Sequence, residues 1–257
     1  MLDLLTNKKI RLIFSNTLSA RENMAIDEAL FASFEENSMP IFRVYDWEKS
    51  FTVGISQDFS NIPEFDERKS YKNNFAKRIT GGGVLFHGHD VSYSLLIPMS
   101  YFKSLNVKSS YEKICTFLLE FYKSLGLNAM YAKDDENTTL SKSAFCQVGF
   151  EAYDILVNGK KIGGNAQRRT KKFIFQHGSI ALTKPSNNTG NEDENKEEMG
   201  FSLHEFDINL DINDAKKRVM DAFEKTFKIE FEESCLTLEE KEKLKILLKD
   251  KYDYEKQ

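Results

Sequence analysis

Apolar residues fall into short alternating runs through the middle of the chain and into four longer stretches at helical spacing, and this pattern carries the element predictions. Residues 11–14 read as a short opening strand. Ser19-Ala20-Arg21-Glu22 has the makings of a capping box, a serine accepting from the amide three positions on and a glutamate reaching back. The helix it starts runs to about Phe34, with Ile26, Leu30 and Phe34 on one face. Residues 41–47 and 51–55 read as two strands joined by a charged turn, and Ser56-Gln57-Asp58 opens a polar stretch of loop and short helix. Trp47 is assigned to core or hairpin packing, with pocket lining as the alternative. Strands are predicted near 75–79 and 91–97; in the second, Val91, Tyr93 and Leu95 alternate with Ser92, Ser94 and Leu96.

A second capping box, Ser109-Ser110-Tyr111-Glu112, precedes a stripe of Ile114, Phe117, Leu118, Phe121 and Leu125, closed by Gly126 as C-cap. Strand signals return after Ser143: residues 153–157, the hairpin turn Asn158-Gly159, a strand over 160–167, a turn at 168–172 and a strand over 173–180. Residues 184–200 are polar and poor in hydrophobic side chains, which predicts a mobile loop. Two helices close the chain, one carrying Val219, Phe223 and Phe227, the other capped by Thr237-Leu238-Glu239-Glu240 and carrying Leu244, Leu247 and Leu248. The mixture predicts an α+β fold, a largely antiparallel or mixed β-sheet with packed helices segregated against it, in a single domain spanning 1–257.

Composition narrows the function classes. A net charge of -4 gives no overall basic field, which argues against nucleic acid as a partner. No apolar run reaches the length of a signal peptide or a membrane span, so a cytoplasmic protein without a membrane partner is expected. Three cysteines, Cys115, Cys146 and Cys235, are odd in number and far apart, which predicts free thiols rather than disulfides. Four histidines include no His/Cys pair at zinc-ligand spacing, so no metal is expected. Nothing demands more than a monomer.

The candidate chemistry starts at Lys77-Arg78-Ile79-Thr80-Gly81-Gly82-Gly83-Val84-Leu85-Phe86-His87. Three consecutive glycines between β-prone runs cost backbone entropy, and make sense where the main chain turns sharply or approaches something closely. With cations before it and His87 after it, the stretch reads as a backbone cradle for a carbonyl, carboxylate or phosphate; a plain Gly-rich turn is the alternative. Cys146 is the nucleophile candidate and Lys161 its cationic partner, since a nearby ammonium favours the thiolate. A buried structural cysteine and a surface lysine are the plain alternatives. Cys115, beside the helical stripe, reads as a small buried hydrophobe. Period-2 geometry places Lys161, Gly163, Asn165 and Gln167 on one strand face, and Gly163-Gly164 within a strand points to close approach by a ligand or backbone. His177 could cap a pocket or satisfy a strand. The pairs Lys160/Lys161, Arg168/Arg169 and Lys171/Lys172 put positive charge on one hairpin, either a solvated face or a docking edge for an acidic protein.

Four blocks together resemble the lipoate- and octanoate-transferring branch of the biotin/lipoate protein ligase superfamily. They are Asn23-Met24-Ala25-Ile26-Asp27-Glu28, the glycine stretch through His87, the run from Tyr153 through Lys161-Ile162-Gly163-Gly164-Asn165-Ala166-Gln167, and Gln176-His177-Gly178-Ser179-Ile180. The resemblance implies a mixed sheet with packed helices and a buried tunnel for a medium acyl chain, roofed by the glycine stretch. It is strongest to the cysteine-dependent octanoyltransferases, whose cysteine stands seven positions before the tyrosine opening the Tyr-Asp/Glu strand; Cys146 and Tyr153 reproduce that offset. Leu236-Thr237-Leu238-Glu239-Glu240 also matches that group, whereas Gln147 and Phe150-Glu151 depart from it and Gly83 is similar to the ligases. The resemblance implies Cys146 and Lys161 as catalytic residues, and Arg78, Gly81, Gly82, Gly83, His87, Gly163, Gly164, Asn165 and His177 as substrate-binding ones. It implies octanoyl-acyl carrier protein as donor and lipoyl domains or a glycine-cleavage carrier protein as acceptors, with no cofactor. The alternatives are a lipoate ligase using ATP and Mg, with Lys161 holding an acyl-adenylate, and a non-catalytic acyl-binding relative.

Overall fold

The computed structural model describes residues 8–57, 74–102, 105–140, 150–184 and 201–253. In chain order the elements are β1 (Lys9–Phe14), α1 (Ala20–Ser33), β2 (Ile41–Asp46), β3 (Ser50–Val53), β4 (Phe75–Lys77), β5 (Leu85–His87), β6 (Asp90–Pro98), α2 (Val107–Ser124), β7 (Ala129–Tyr131), β8 (Ile155–Val157), β9 (Lys160–Arg169), β10 (Phe173–Ala181), α3 (Ile212–Phe227), β11 (Glu230–Glu233) and α4 (Leu238–Asp250). Eight strands form one mixed sheet in the order β11-β1-β2-β6-β10-β9-β8-β7. Here β1 runs parallel to both β2 and β11, and the other pairings are antiparallel. β4, β3 and β5 make a separate three-stranded sheet. The α+β expectation holds. Among the described residues no helix is long and apolar enough to cross a membrane.

The alternation read in β6 sorts its side chains between two layers. Val91, Tyr93, Leu95 and Ile97 join the core under α2 and α3, where Phe42 and Phe223 rings lie 4.3 Å apart. Leu96 faces the other way, into a cluster with Ile26 and Leu30 of α1. Both faces of the central strands are therefore covered, and every residue of β2 and β6 is buried.

Local capping signals behaved unevenly. Ser19 and Thr237 form the expected capping boxes. α2 instead begins three residues before its predicted box, because Asn106 accepts from the Ser109 amide (2.8 Å) and adds a turn that buries Ser110. Gly126 follows the C-cap Leu125 with φ of 81°, the left-handed turn a glycine enters readily. β2 and β3 lie in different sheets, so residues 41–55 do not pair as neighbouring strands. β5, β7 and β11, short strands with little periodicity, went unread. Residues 185–200 of the predicted mobile loop lie outside the described residues, as does Cys146.

Candidate active site

A cleft of about 670 Å³ opens between β9 and β10 of the large sheet and the glycine stretch that links β4 to β5. Three interactions hold that stretch in place. The Ile55 amide donates to the Thr80 carbonyl (2.8 Å), and the Arg78 amide to the Val53 carbonyl (2.8 Å). The buried Arg78 guanidinium donates to the Thr52 carbonyl (3.0 Å), the Thr52 hydroxyl (2.8 Å) and the Gly83 carbonyl (2.7 Å). Gly82 has φ of 105°, and a Cβ at Gly81 would meet nothing within 4 Å, so this backbone is open to close approach. Gly54, which the sequence reading passed over, is what lets the stretch lie so near: a Cβ there would collide with the Gly82 carbonyl. Gly54→Ala is therefore expected to displace the stretch and destabilise the protein by about 1–3 kcal/mol; an unchanged unfolding midpoint would refute that packing.

Two histidines stand against the stretch. His87 stacks on Trp47 (centroids 3.8 Å apart, planes 15°), so Trp47 is both core and pocket wall. The Thr52 hydroxyl, which accepts from Arg78, also pairs with His87 Nε2 (2.9 Å), and His87 Nδ1 pairs with Asp90 (2.9 Å). Burial pushes the Asp90 carboxyl up, but His87 and the hydrogen bonds from His87 and Ser179 outweigh it, giving about 2 against an ordinary 3.8. A carboxylate held down in the folded state contributes stability above its unfolded value of 3.8, lost as the pH falls toward 2. Asp90→Asn should remove about 2 kcal/mol of acid-dependent stability; equal slopes of unfolding free energy between about pH 4 and 2 in the two proteins would contradict this.

His177 on β10 pairs through Nε2 with the Thr80 hydroxyl (2.7 Å), and its Nδ1 lies 3.7 Å from Asp27 of α1. Burial pushes its imidazole below the usual value, against the pull of Asp27, so the ring is neutral at neutral pH. Asp27 in turn accepts from Arg43 (2.8 Å), Tyr45 (3.1 Å) and Ser94 (2.8 Å). Burial alone would raise its pKa, but Arg43 and His177 hold it below the ordinary carboxylate value. The chain Arg43–Asp27–His177–Thr80 thus ties α1, β2 and β10 to the start of the glycine stretch.

On the opposite wall, Lys161 forms a nearly buried ion pair with Asp154 (2.6 Å). Burial pushes the Asp154 carboxyl above the usual carboxylate range, with Lys161 pulling it partly back. The placement of Lys161 corrects the period-2 expectation. Leu156 pairs with Lys161 but Ile155 with Gly163, a bulge that inserts Ile162 as an extra residue. A Cβ at Gly164 would meet Asp154 and Lys161, whereas one at Gly163 would meet the Tyr122 hydroxyl on α2. Lys161 therefore shares the side of Gly164, and Gly163 faces away. Beyond Gly163 no described strand pairs with the outer side of β9, which leaves Asn165 and Gln167 along the cleft.

All the described candidate residues, namely Arg78, Gly81, Gly82, Gly83, His87, Lys161, Gly163, Gly164, Asn165 and His177, line this one cleft. Asp154 and the supporting Asp27, Arg43, Thr52, Thr80 and Asp90 were missed. Asp154 had a signal: the Asn-Gly turn folds residues 154–157 back onto 160–163. Asp90 lies three residues from His87 across a short turn, and the others come together only through the packing of separate elements. Cys115 is fully buried and burial pushes its thiol far up, as befits a packed residue. Among the described residues no group of three or more His, Cys, Asp or Glu side chains could hold a metal ion.

Residues 19–189 match the lipoyl protein ligase A/B catalytic domain, and the chain belongs to that family. It is 31% identical to octanoyltransferase LipM of Anoxybacillus flavithermus over 95% of each chain. It is 32% identical to octanoyltransferase LipM of Bacillus subtilis, over 67% of this chain and 65% of that one. Among solved structures, lipoate-protein ligase A bound with ATP superposes with a TM-score of 0.77 at 23% identity, covering 95% of this chain and 96% of its own. A bipartite lipoate protein ligase of Thermoplasma acidophilum, studied with its E2 lipoyl domain, superposes at 0.73 with 22% identity, covering 95% and 93%.

Proposed function

We propose that this chain, acting as a single catalytic domain, transfers an octanoyl group from octanoyl-acyl carrier protein to a lysine of a lipoyl domain or of a glycine-cleavage carrier protein, through an acyl-enzyme on Cys146. The observation that carries the reading is the Lys161–Asp154 pair set in a cleft opposite an open glycine backbone, in a chain whose relatives of similar length are octanoyltransferases. The Cys146 thiolate attacks the thioester carbonyl. Backbone amides of the glycine stretch and of Gly163-Gly164 brace the oxyanion. The carrier thiolate leaves with a proton from the Lys161 ammonium. The acceptor lysine then attacks the acyl-enzyme, its proton returns to Lys161, and the Cys146 thiolate is released. Asp154 holds the amine in position through both halves. The reaction needs no nucleotide, since the thioester is already activated.

The test is acylation of an apo lipoyl domain with octanoyl carrier protein and no ATP, beside free octanoate or lipoate with ATP and magnesium. Intact mass should show an octanoyl adduct on the wild type and none on Cys146→Ala, with transfer lost in the variant. Strictly ATP-dependent transfer that survives Cys146→Ala would establish a lipoate ligase instead. A wild type inactive under both conditions would leave the acyl-binding relative.

A further inference from the structure

The segment that follows β11 fastens to the outside of the wall that closes the cleft. β2 stands three strands from β9 in the large sheet, so Tyr45, near the end of β2, and Trp47 beyond it close the cleft at the end away from Lys161. Met24 of α1 completes that wall, and all three side chains are buried. Behind them one buried cluster continues through Ala20 and Ala25 of α1 and Ala76 of β4 to the ring of Tyr252. That ring is fully enclosed although it stands two residues beyond the end of α4.

The helix leading to it is not itself deeply packed. Leu244, Leu247 and Leu248 of α4 lie against the cluster only half-buried. With 13 residues, α4 has a length at which a helix alone is marginal. Polar anchors at both ends hold it. At its start the Glu240 carboxylate accepts from both terminal nitrogens of Arg11 on β1 (2.6 and 2.7 Å). Past its end, Glu28 of α1 accepts from the Tyr252 hydroxyl (2.7 Å) and from the Lys251 ammonium (2.7 Å). These anchors fix the ring, whose hydroxyl also lies 3.4 Å from the Lys77 carbonyl, where β4 leads into the glycine stretch.

Within the wall, Tyr45 and Trp47 are held by hydrogen bonds to Asp27 (3.1 Å) and Ser92 (2.9 Å). Met24 is the pliable member, an unbranched thioether that follows whatever space is open beside it. We infer that Tyr252 is a positioning residue for acyl specificity: its ring fills the space behind that wall and so fixes how far an acyl chain can extend from the reacting carbonyl. The inference rests on the acyl-transfer reading and adds the element outside the cleft that sets its depth.

Octanoyl and decanoyl carrier protein offered together to the full chain, with an apo lipoyl domain as acceptor, give the chain-length preference as a product ratio by intact mass. The wild type should favour octanoyl by about tenfold or more, the scale on which a closed apolar pocket discriminates by methylenes. Tyr252→Ala should reduce the preference to about threefold or less, because Met24 can move into the vacated space. Tyr252→Leu, a smaller loss of volume, should shift the ratio in the same direction and replaces the alanine variant if that one does not fold. Tyr252→Phe keeps the ring and should keep the wild-type ratio, even where loss of the bond to Glu28 lowers its unfolding midpoint. A product ratio does not depend on the amount of folded enzyme, so a purely structural role leaves it unchanged. The wild-type ratio persisting in the alanine and leucine variants, or a wild type that takes both chains alike, would overturn the inference while leaving the acyl-transfer reading in place. A wild type that transfers neither chain would overturn that reading and this inference with it.

Discussion

Lys161→Ala should lower octanoyl transfer on the order of 10³-fold, the combined scale of a lost proton donor and a lost charge beside the oxyanion. In the proposed mechanism the ammonium acts on charge that develops during the reaction, so the effect should fall on turnover. The fold should survive. Removing the cation leaves Asp154 buried, but burial already favours its neutral form, so the carboxyl takes up a proton instead of remaining as an unpaired charge. Steady-state kinetics on the lipoyl-domain acceptor, with circular dichroism as the control, checks both halves. Turnover within a few-fold of wild type would remove Lys161 from the mechanism.

Arg43→Ala should destabilise the protein by about 3–5 kcal/mol, the scale for breaking a buried ion pair by removing one partner. Arg43 is fully buried, and its guanidinium binds Asp27, the Asn23 carbonyl (3.2 Å) and side chain (2.5 Å), and Ser15 (3.1 Å) while lying 3.9 Å over the Tyr45 ring. Its loss leaves an uncompensated carboxylate at Asp27 and several acceptors without donors. Asp27→Asn combined with Arg43→Met should recover part of the loss, since the stranded charge is then absent. Denaturant unfolding of the single and double variants measures this. A loss below about 1 kcal/mol for Arg43→Ala would show that the network is not under the strain of burial that its geometry implies.

These two sites mark how far local reading reaches. The hairpin carrying Lys161 was legible because Asn158-Gly159 is a strong turn signal and acts over a few residues. The bulge at Ile162 was not legible, and it decides which side of the strand Lys161 occupies. Asn23 and Asp27 were visible only as part of a matching block. They lie on α1, their partners Arg43, Ser94 and His177 lie on three different strands, and no spacing rule connects them. The glycine stretch was correctly read as a place of close approach, but the neighbour that approaches it is Gly54, from another strand end. Arg78 was read as facing a ligand; its guanidinium bonds are to Thr52 and to the stretch itself, so it also builds the cradle.

By itself, the sequence determined the helices with good caps, the alternation of the buried strands, the tight hairpin and the four blocks that point to the family. All of these rest on interactions between residues a few positions apart, where the local free-energy differences are nearly independent of the rest of the chain. Only the tertiary structure decided the second sheet, the parallel pairing of β11 with β1, the aspartate behind His177 and the pairing of Tyr93 with Asn165. Those contacts join residues tens to hundreds of positions apart, and their partners are selected by closing loops and burying shared apolar surface, which no local pattern records.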